Sequence, residues 1–556
     1  LADYDYIVIG AGSAGCVLAN RLSADPSIRV LLLEAGGPDN HPLMAMPLAF
    51  LKVMKERAYN WNYESEPEPF ADDRRVMLPR GKTLGGTSSI NGMVYSRGHP
   101  DDYNEWADLG LSGWDFESVL PYFLRSERNW RGEGAHHGGD GPLAVSKMRS
   151  DDEIFPRVMS TARALGYDVL DDHHGDIAEG FAPAEFTVDK GRRASTSAAF
   201  LRPVLSRPNL TVKTRALTRR ILIEKCEAVA VEYEHGGKVE TARAEAEIIL
   251  CAGSFNSPQL LLLSGVGPAD ELHEAGVAPV HDLPGVGRNL QEHPITSVGY
   301  SLTRPVGFES RLRFDRLALT TAQWMFSRSG DAVQLPITGM GFMRTKNGLN
   351  RPDIKANFYP TGIDSRIWMP PFRKGIGHVM SAMAVMLHPE SRGWVKLRSA
   401  DPKAPPRIRL NLLEAPEDRA VLRRAVRRLR EFFRTPPISE LIGEELWPGP
   451  GIETDEALDA LHRRTVVTAH HSAGACAMGV GPDAVTDARL RVRGIAKLRV
   501  ADASVMPRVV GGNTNAPVIM IAEKAAQLIL DDRNGVQNAP ERYSQYNRKD
   551  AIRELS

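Results

Sequence analysis

Gly10, Gly12 and Gly15, with Ser13 and Ala14 between them, form a GxGxxG turn near the start of the chain. The chemistry of such a turn is the holding of a phosphate. The first glycine permits a tight turn, the second lets the backbone approach a pyrophosphate, and the third lets helix and strand pack closely. Glu34 follows nineteen residues after Gly15, with Ala35 beside it. An acid at that distance can accept hydrogen bonds from ribose hydroxyls. It argues against a 2′-phosphate and leaves NAD and FAD both open. Residues 80–99, RGKTLGGTSSINGMVYSRGH, are dense in Gly, Ser, Thr and Asn. Irregular backbone of this kind has many free N–H groups and suits a polar ligand. His136, His137, His173 and His174 lie in HHGGD and DDHHGD and imitate metal-ligand clusters. Their Gly/Asp-rich setting is read as solvent-facing loop, and no metal is expected.

The elements that must position the turn are legible around it. YDYIVI at 4–9 reads as a buried parallel strand, CVLANRLSAD as a helix, and IRVLLLE as a second strand ending at Glu34. Residues 212–233 alternate as short strands. EAEIILCAGSFNSP reads as a buried strand and turn, with a helix after Pro258. HVMSAMAVMLH and SRGWVKLRS look like strands of an antiparallel sheet. EDRAVLRRAVRRLREFFRT looks like an amphipathic helix whose arginines form a solvated face. A chain of 556 residues exceeds what one core usually holds.

Composition narrows the function. Lys+Arg and Asp+Glu are both 69, so no global field attracts a polyanion, and no nucleic acid partner is expected. Cys16, Cys226, Cys251 and Cys476 include no CxxC pair. That usage fits a reducing compartment, and a cytoplasmic location is expected. Apolar stretches are short and broken by Gly, so no membrane span is expected.

Taken together, GAGSAG with Glu34, the 80–99 block, GSFNSPQLLLLSGVG at 253–267, AHHSAGACAMG at 469–479 and GGNTNAPVIMIAEKAA at 511–526 resemble the glucose-methanol-choline (GMC) oxidoreductases. The resemblance runs from about residue 3 to about residue 530. It implies an α/β chain, α+β overall, with a discontinuous Rossmann-like FAD domain and a second substrate domain built on an antiparallel sheet with helices. The expected pieces are 1–150, 196–297 and 462–532 for FAD, 151–195 and 298–461 for substrate, and a polar tail at 533–556.

The resemblance also implies site residues. Gly10, Gly12 and Gly15 would face the FAD pyrophosphate and Glu34 the adenosine ribose. Thr83, Gly86, Asn91, Gly92, Met93 and Val94 would run beside the flavin ring and its tail. Asp502 and Ala503 would lie near the pyrophosphate and ribityl chain, and Asn515, Ala516, Pro517 and Val518 would continue the ring contact. Ile90 holds the family's position for a histidyl–flavin bond, so FAD is expected to be non-covalent. His471 maps to the base that takes the alcohol proton while the hydride goes to flavin N5, and Asn513 to the partner of the substrate oxygen. His470 and Ala475 depart from the family pattern and would alter the wall near the flavin. His293 is expected to be structural. The implied reaction oxidises a primary alcohol (aryl, furanic, aliphatic or choline-like), with oxygen or a quinone or dye as acceptor. Competing readings are a lyase or decarboxylase on the same fold, and a nicotinamide dehydrogenase using the first motif alone.

Overall fold

The computed structural model describes residues 3–149, 152–175, 179–362 and 364–535. Almost all of the expected tail at 533–556 lies outside them. The first motif folds as a strand–turn–helix–strand unit. Tyr4–Ile9 pairs in parallel with Val30–Glu34 on one side and with Lys238–Leu250 on the other. Leu210–Thr214 adds in parallel beyond Val30–Glu34, and Leu498–Val500 beside residues 248–250. Residues 6–9 and 30–34 are buried throughout, as parallel strands covered on both faces must be. Ala216–Glu224, Glu227–His235 and the first part of Lys238–Leu250 form an antiparallel meander at the edge.

Helix Ser13–Leu22 packs on helix Asn515–Arg533, nearly five hundred residues later. Ser13 Oγ donates to Asn515 Oδ1 at 2.7 Å, and Arg21 pairs with the buried Glu523 at 2.6 Å. The second motif helix differs from expectation. It spans Gly253–Leu263 and so begins before Pro258, which sits inside it. Burial of nine of its residues outweighs the one backbone bond the proline removes.

The second sheet is antiparallel, in the order Ile442–Trp447, Pro294–Leu302, Val379–Met386, Ile354–Tyr359, Met340–Met343, Gly180–Ala182. Val467–Thr468 pairs with Pro294 and Ile295 at its end. Helix Pro416–Arg434 covers one face, with Phe432 4.6 Å from Phe358 and Phe433 4.8 Å from Tyr300 between ring centres. Its arginines are mostly at the surface, but Arg430 is 5% exposed and forks onto Glu445. That one guanidinium leaves the solvated face the sequence suggests. Trp394–Lys396 joins Arg407–Arg409 in a separate ribbon rather than the large sheet. The uncovered face of the large sheet roofs a cavity above the first.

Candidate active site

The cavity holds about 870 Å³ and runs from the first glycine turn to the second sheet. Gly10 turns with φ +97°. A Cβ on Gly15 would stand 1.8 Å from the Gly10 carbonyl oxygen, so this glycine serves packing. A Cβ on Gly12 would meet only Cys251 O at 3.9 Å, which leaves the turn open to a ligand. Gly12 caps helix Ser13–Leu22 without a side-chain bond, so the first-turn N–H groups and the positive helix end face the cavity. Glu34 accepts from the N–H groups of Ala11 at 2.9 Å and Gly36 at 2.8 Å. Burial pushes its carboxyl up to about 7, against the pull of those donors. Gly86, at φ +51°, brings the second motif against Gly12, where a Cβ would come within 2.8 Å of its Cα. An open turn, an uncapped helix end and a buried acid beyond them fit the pyrophosphate and ribose of a dinucleotide.

At the far end, residues 467–473 run antiparallel to 291–295, with Ala469 N–H donating to His293 O and residues 291 and 473 exchanging bonds. This ladder sets His293 against His471, their Nδ1 atoms 3.0 Å apart. On the other side of the ring, Asn513 Nδ2 lies 3.0 Å from His471 Nε2. Asn513 is oriented by the ammonium of Lys355, which donates to its Oδ1. The amide N–H therefore points at His471, so Nε2 accepts, and the ring proton sits on Nδ1 and donates to His293. Glu292 anchors the segment from below. Its carboxylate accepts from His471 N–H at 2.6 Å and from Ser472 Oγ at 2.5 Å, with Arg80 3.6 Å away.

Electrostatics keep the rings neutral. Burial drives His471 well below the ordinary histidine value, and His293, Lys355, His470 and Arg80 add to it. Burial takes His293 to about 3, His470 to about 4 and the Lys355 ammonium to about 7. Glu292 is raised by burial, with Arg80 opposing. A neutral imidazole with an accepting Nε2 beside an amide donor can take a proton from a hydroxyl.

Gly10, Gly12, Ser13, Ala14, Glu34, Ala35, Gly86, Asn91, Gly92, Met93, Val94, His471, Asp502, Ala503, Asn513, Asn515 and Val518 all line this one cavity. Gly15, Thr83, Ala516 and Pro517 do not. Thr83 is buried behind the wall, its Oγ1 donating to Gly37 O. Ala475 is fully buried in the core rather than in the wall. His470 lines the cavity, but at φ +63° its backbone is left-handed, not the extended form that would send neighbouring rings to opposite faces. His137, His173 and His174 are 6–8% exposed, which corrects the solvent-facing reading. Carboxylates and aromatic rings pull them inward: Asp172 and Glu127 hold His137, while Phe342 and Tyr95 meet His173 and His174 edge-on. Sequence reasoning missed Lys355, Glu292 and the contact of His293 with His471. Lys355 carries a signal in hindsight, a lone charge in an apolar strand.

A dinucleotide turn on one sheet, a roof of antiparallel strands and a buried neutral histidine between them fit an oxidoreductase with a dinucleotide cofactor. Two family models, both described as GMC oxidoreductase, match residues 4–295 and 389–522. The chain is 42% identical to an oxygen-dependent choline dehydrogenase of Photobacterium profundum, over 95% of this chain and 93% of that protein. It is 42% identical to the mitochondrial choline dehydrogenase of Mus musculus, over 96% and 91%. Among solved structures, pyridoxine 4-oxidase from Mesorbium loti superposes with a TM-score of 0.86 at 30% identity, covering 97% of this chain and 100% of that one. The chain belongs to the GMC oxidoreductase family. It is an FAD enzyme acting on CH–OH donors, which sets aside the nicotinamide reading. No helix among the described residues is long and apolar enough to cross a membrane.

Proposed function

We propose that the protein oxidises a primary alcohol to the aldehyde, with His471 as base and Asn513 as hydrogen-bond partner of the substrate oxygen. The observation that carries this reading is the neutral His471 ring, its Nε2 accepting from the Asn513 amide in the cavity wall. Bound FAD supplies the hydride acceptor for the carbinol carbon. Asn513, its carbonyl taken by Lys355, offers N–H to the substrate oxygen. As the Asn513 N–H turns from Nε2 to the substrate oxygen, the freed Nε2 lone pair of His471 takes the hydroxyl proton, while the Nδ1 contact with His293 stops the ring from turning. The charged ring is disfavoured by burial and by nearby cations, so the pair returns to neutrality between turnovers. The electron acceptor is dioxygen or a quinone, and the bacterial relatives' printed name, oxygen-dependent, favours the first. FAD is dissociable in this reading, because Ile90 in the wall has no atom that can bond to it. Acid precipitation should leave the colour in solution.

The test is anaerobic mixing of the yellow protein with aliphatic and aryl alcohols. Bleaching of the flavin is expected with at least one of them. A flavin that stays oxidised across the panel contradicts the proposal.

A further inference from the structure

The reacting pair lies at one end of a row of side chains on strand Ile354–Tyr359. Alternate residues of a strand face the same side. Ile354, Ala356 and Phe358 pack into the core under helix Pro416–Arg434. Lys355, Asn357 and Tyr359 therefore face the cavity, and Thr361 continues the row. Lys355 is 1% exposed. Its ammonium donates to Asn513 Oδ1, and no carboxylate among the described residues pairs with it. Asn357 Oδ1 and Thr361 Oγ1 are buried without a hydrogen-bond partner. Burial lowers Lys355 to about 7, so below neutral pH it is a cation lacking an anion, and beside unmet polar atoms that is costly unless a ligand completes it.

The charges of the cavity wall point the same way. Its carboxylates, among the described residues, are Glu34 and Asp502. Both belong to the cofactor half and both are engaged. Glu34 holds the Ala11 and Gly36 N–H groups. Asp502 accepts from Gly253 N–H, Ser257 Oγ and both donors of Ser504. Of the wall's aromatic rings, Phe255 and Trp61 are covered by the protein's own cations and Tyr63 stacks on Trp61, which leaves Phe50 and Tyr359, the latter four residues along the strand from Lys355. Arg80 sits 4.6 Å over Phe255, and Lys82 4.4 Å over Trp61. A quaternary ammonium is held by free aromatic faces or by a carboxylate. Next to the reacting pair this wall offers an ammonium instead.

We propose that the row from Lys355 to Thr361 is a charge-selecting subsite. It takes alcohols whose second polar group is uncharged or anionic and turns away quaternary ammonium alcohols such as choline. Lys355 donates to an acceptor oxygen of the substrate, and Asn357 Oδ1 accepts from a hydroxyl. The inference rests on the alcohol-oxidation reading above and narrows its substrate class. It sets this chain apart from relatives whose printed names specify choline.

The test uses the holoenzyme at pH 6, where Lys355 is protonated, and two probes: choline, and its uncharged isostere with a tert-butyl group in place of trimethylammonium. Binding is read from perturbation of the flavin absorbance, and oxidation from anaerobic flavin reduction. The isostere should be favoured at least ~100-fold in kcat/KM and in binding, the scale of a like-charge contact in an enclosed site. Lys355→Met should shrink that ratio by ~10-fold or more, and Lys355→Arg should keep it. A residue that merely supports the fold would slow both probes and leave the ratio alone. Choline equal to or better than the isostere in the wild type overturns the proposal. So does an unchanged ratio in Lys355→Met with normal flavin content. If Lys355→Met fails to hold flavin, the wild-type and Lys355→Arg ratios still decide. If neither alcohol bleaches the flavin, the alcohol panel above decides the oxidation reading while the binding ratio still judges the subsite.

Discussion

His137 and His471 stand in histidine pairs that look alike in sequence, and the two rings are opposite in charge. In the loops around 137 and 172, His137 Nε2 stands 2.7 Å from Asp172 and its Nδ1 3.3 Å from Glu127, which also pairs with the buried Arg97. Burial alone would discharge this ring. The two carboxylates outweigh it and hold the pKa up at about 9. Around 471 the ring is enclosed as well, but its nitrogens meet an imidazole and an amide. Nothing opposes burial there, and the ring stays neutral. What separates the charged His137 from the neutral His471 is therefore the partner of the ring nitrogen, not the presence of paired histidines beside acids. Glu292 lies close to His471 yet spends its oxygens on backbone N–H groups and Ser472. It fixes the segment without charging the ring.

The largest effect expected from breaking this contrast is at His471. His471→Ala should slow anaerobic flavin reduction by about 10²–10⁴, the worth of a positioned base. His470→Ala should alter mainly substrate preference, and His137→Ala should leave reduction per bound flavin near wild type. Rapid mixing with a good alcohol measures all three. Asn513→Ala comes next, at ~10²-fold in the same measurement, as a lost donor to the substrate oxygen. Glu34→Ala should lower FAD content more than turnover per bound flavin, because Glu34 sits at the far end of the cavity from His471. Normal flavin content with collapsed turnover would break that assignment. The smallest effect is on stability. His137 is raised from the ordinary 6.5 to about 9 in the folded protein, so its contribution is complete below 6.5 and is lost as pH rises through 9. The Tm of the wild type should fall over that window by more than the Tm of His137→Gln. Equal slopes would mean that His137 is not held charged.

Much of the frame was legible in the sequence because it rests on local rules. The GxGxxG turn needs Gly15 where a Cβ would strike Gly10, and all-apolar strands mark the parallel sheet. The scattered motifs that serve one cavity were recognised through resemblance, since no local rule joins Gly12 to Val518. The rest depended on contacts that spacing does not encode. The meeting of His293 and His471 comes from a ladder between segments about 180 residues apart. Lys355 reaches the loop residue Asn513 from a strand 158 residues earlier in the chain. Loop composition suggested exposure for His137, His173 and His174, and long-range carboxylates and rings buried them instead. The helix start at Gly253 was missed because proline is a stop signal only where packing does not override it.

The direct test of this account is the protonation of the two rings in the holoenzyme. Nitrogen NMR of histidine-labelled protein between pH 6 and pH 8, with signals assigned by their loss in His471→Ala and His137→Gln, reads charge and tautomer together. His137 should be doubly protonated throughout, and His471 neutral with its proton on Nδ1 and Nε2 unprotonated. A charged His471 at pH 6, or a neutral one carrying its proton on Nε2, would contradict it.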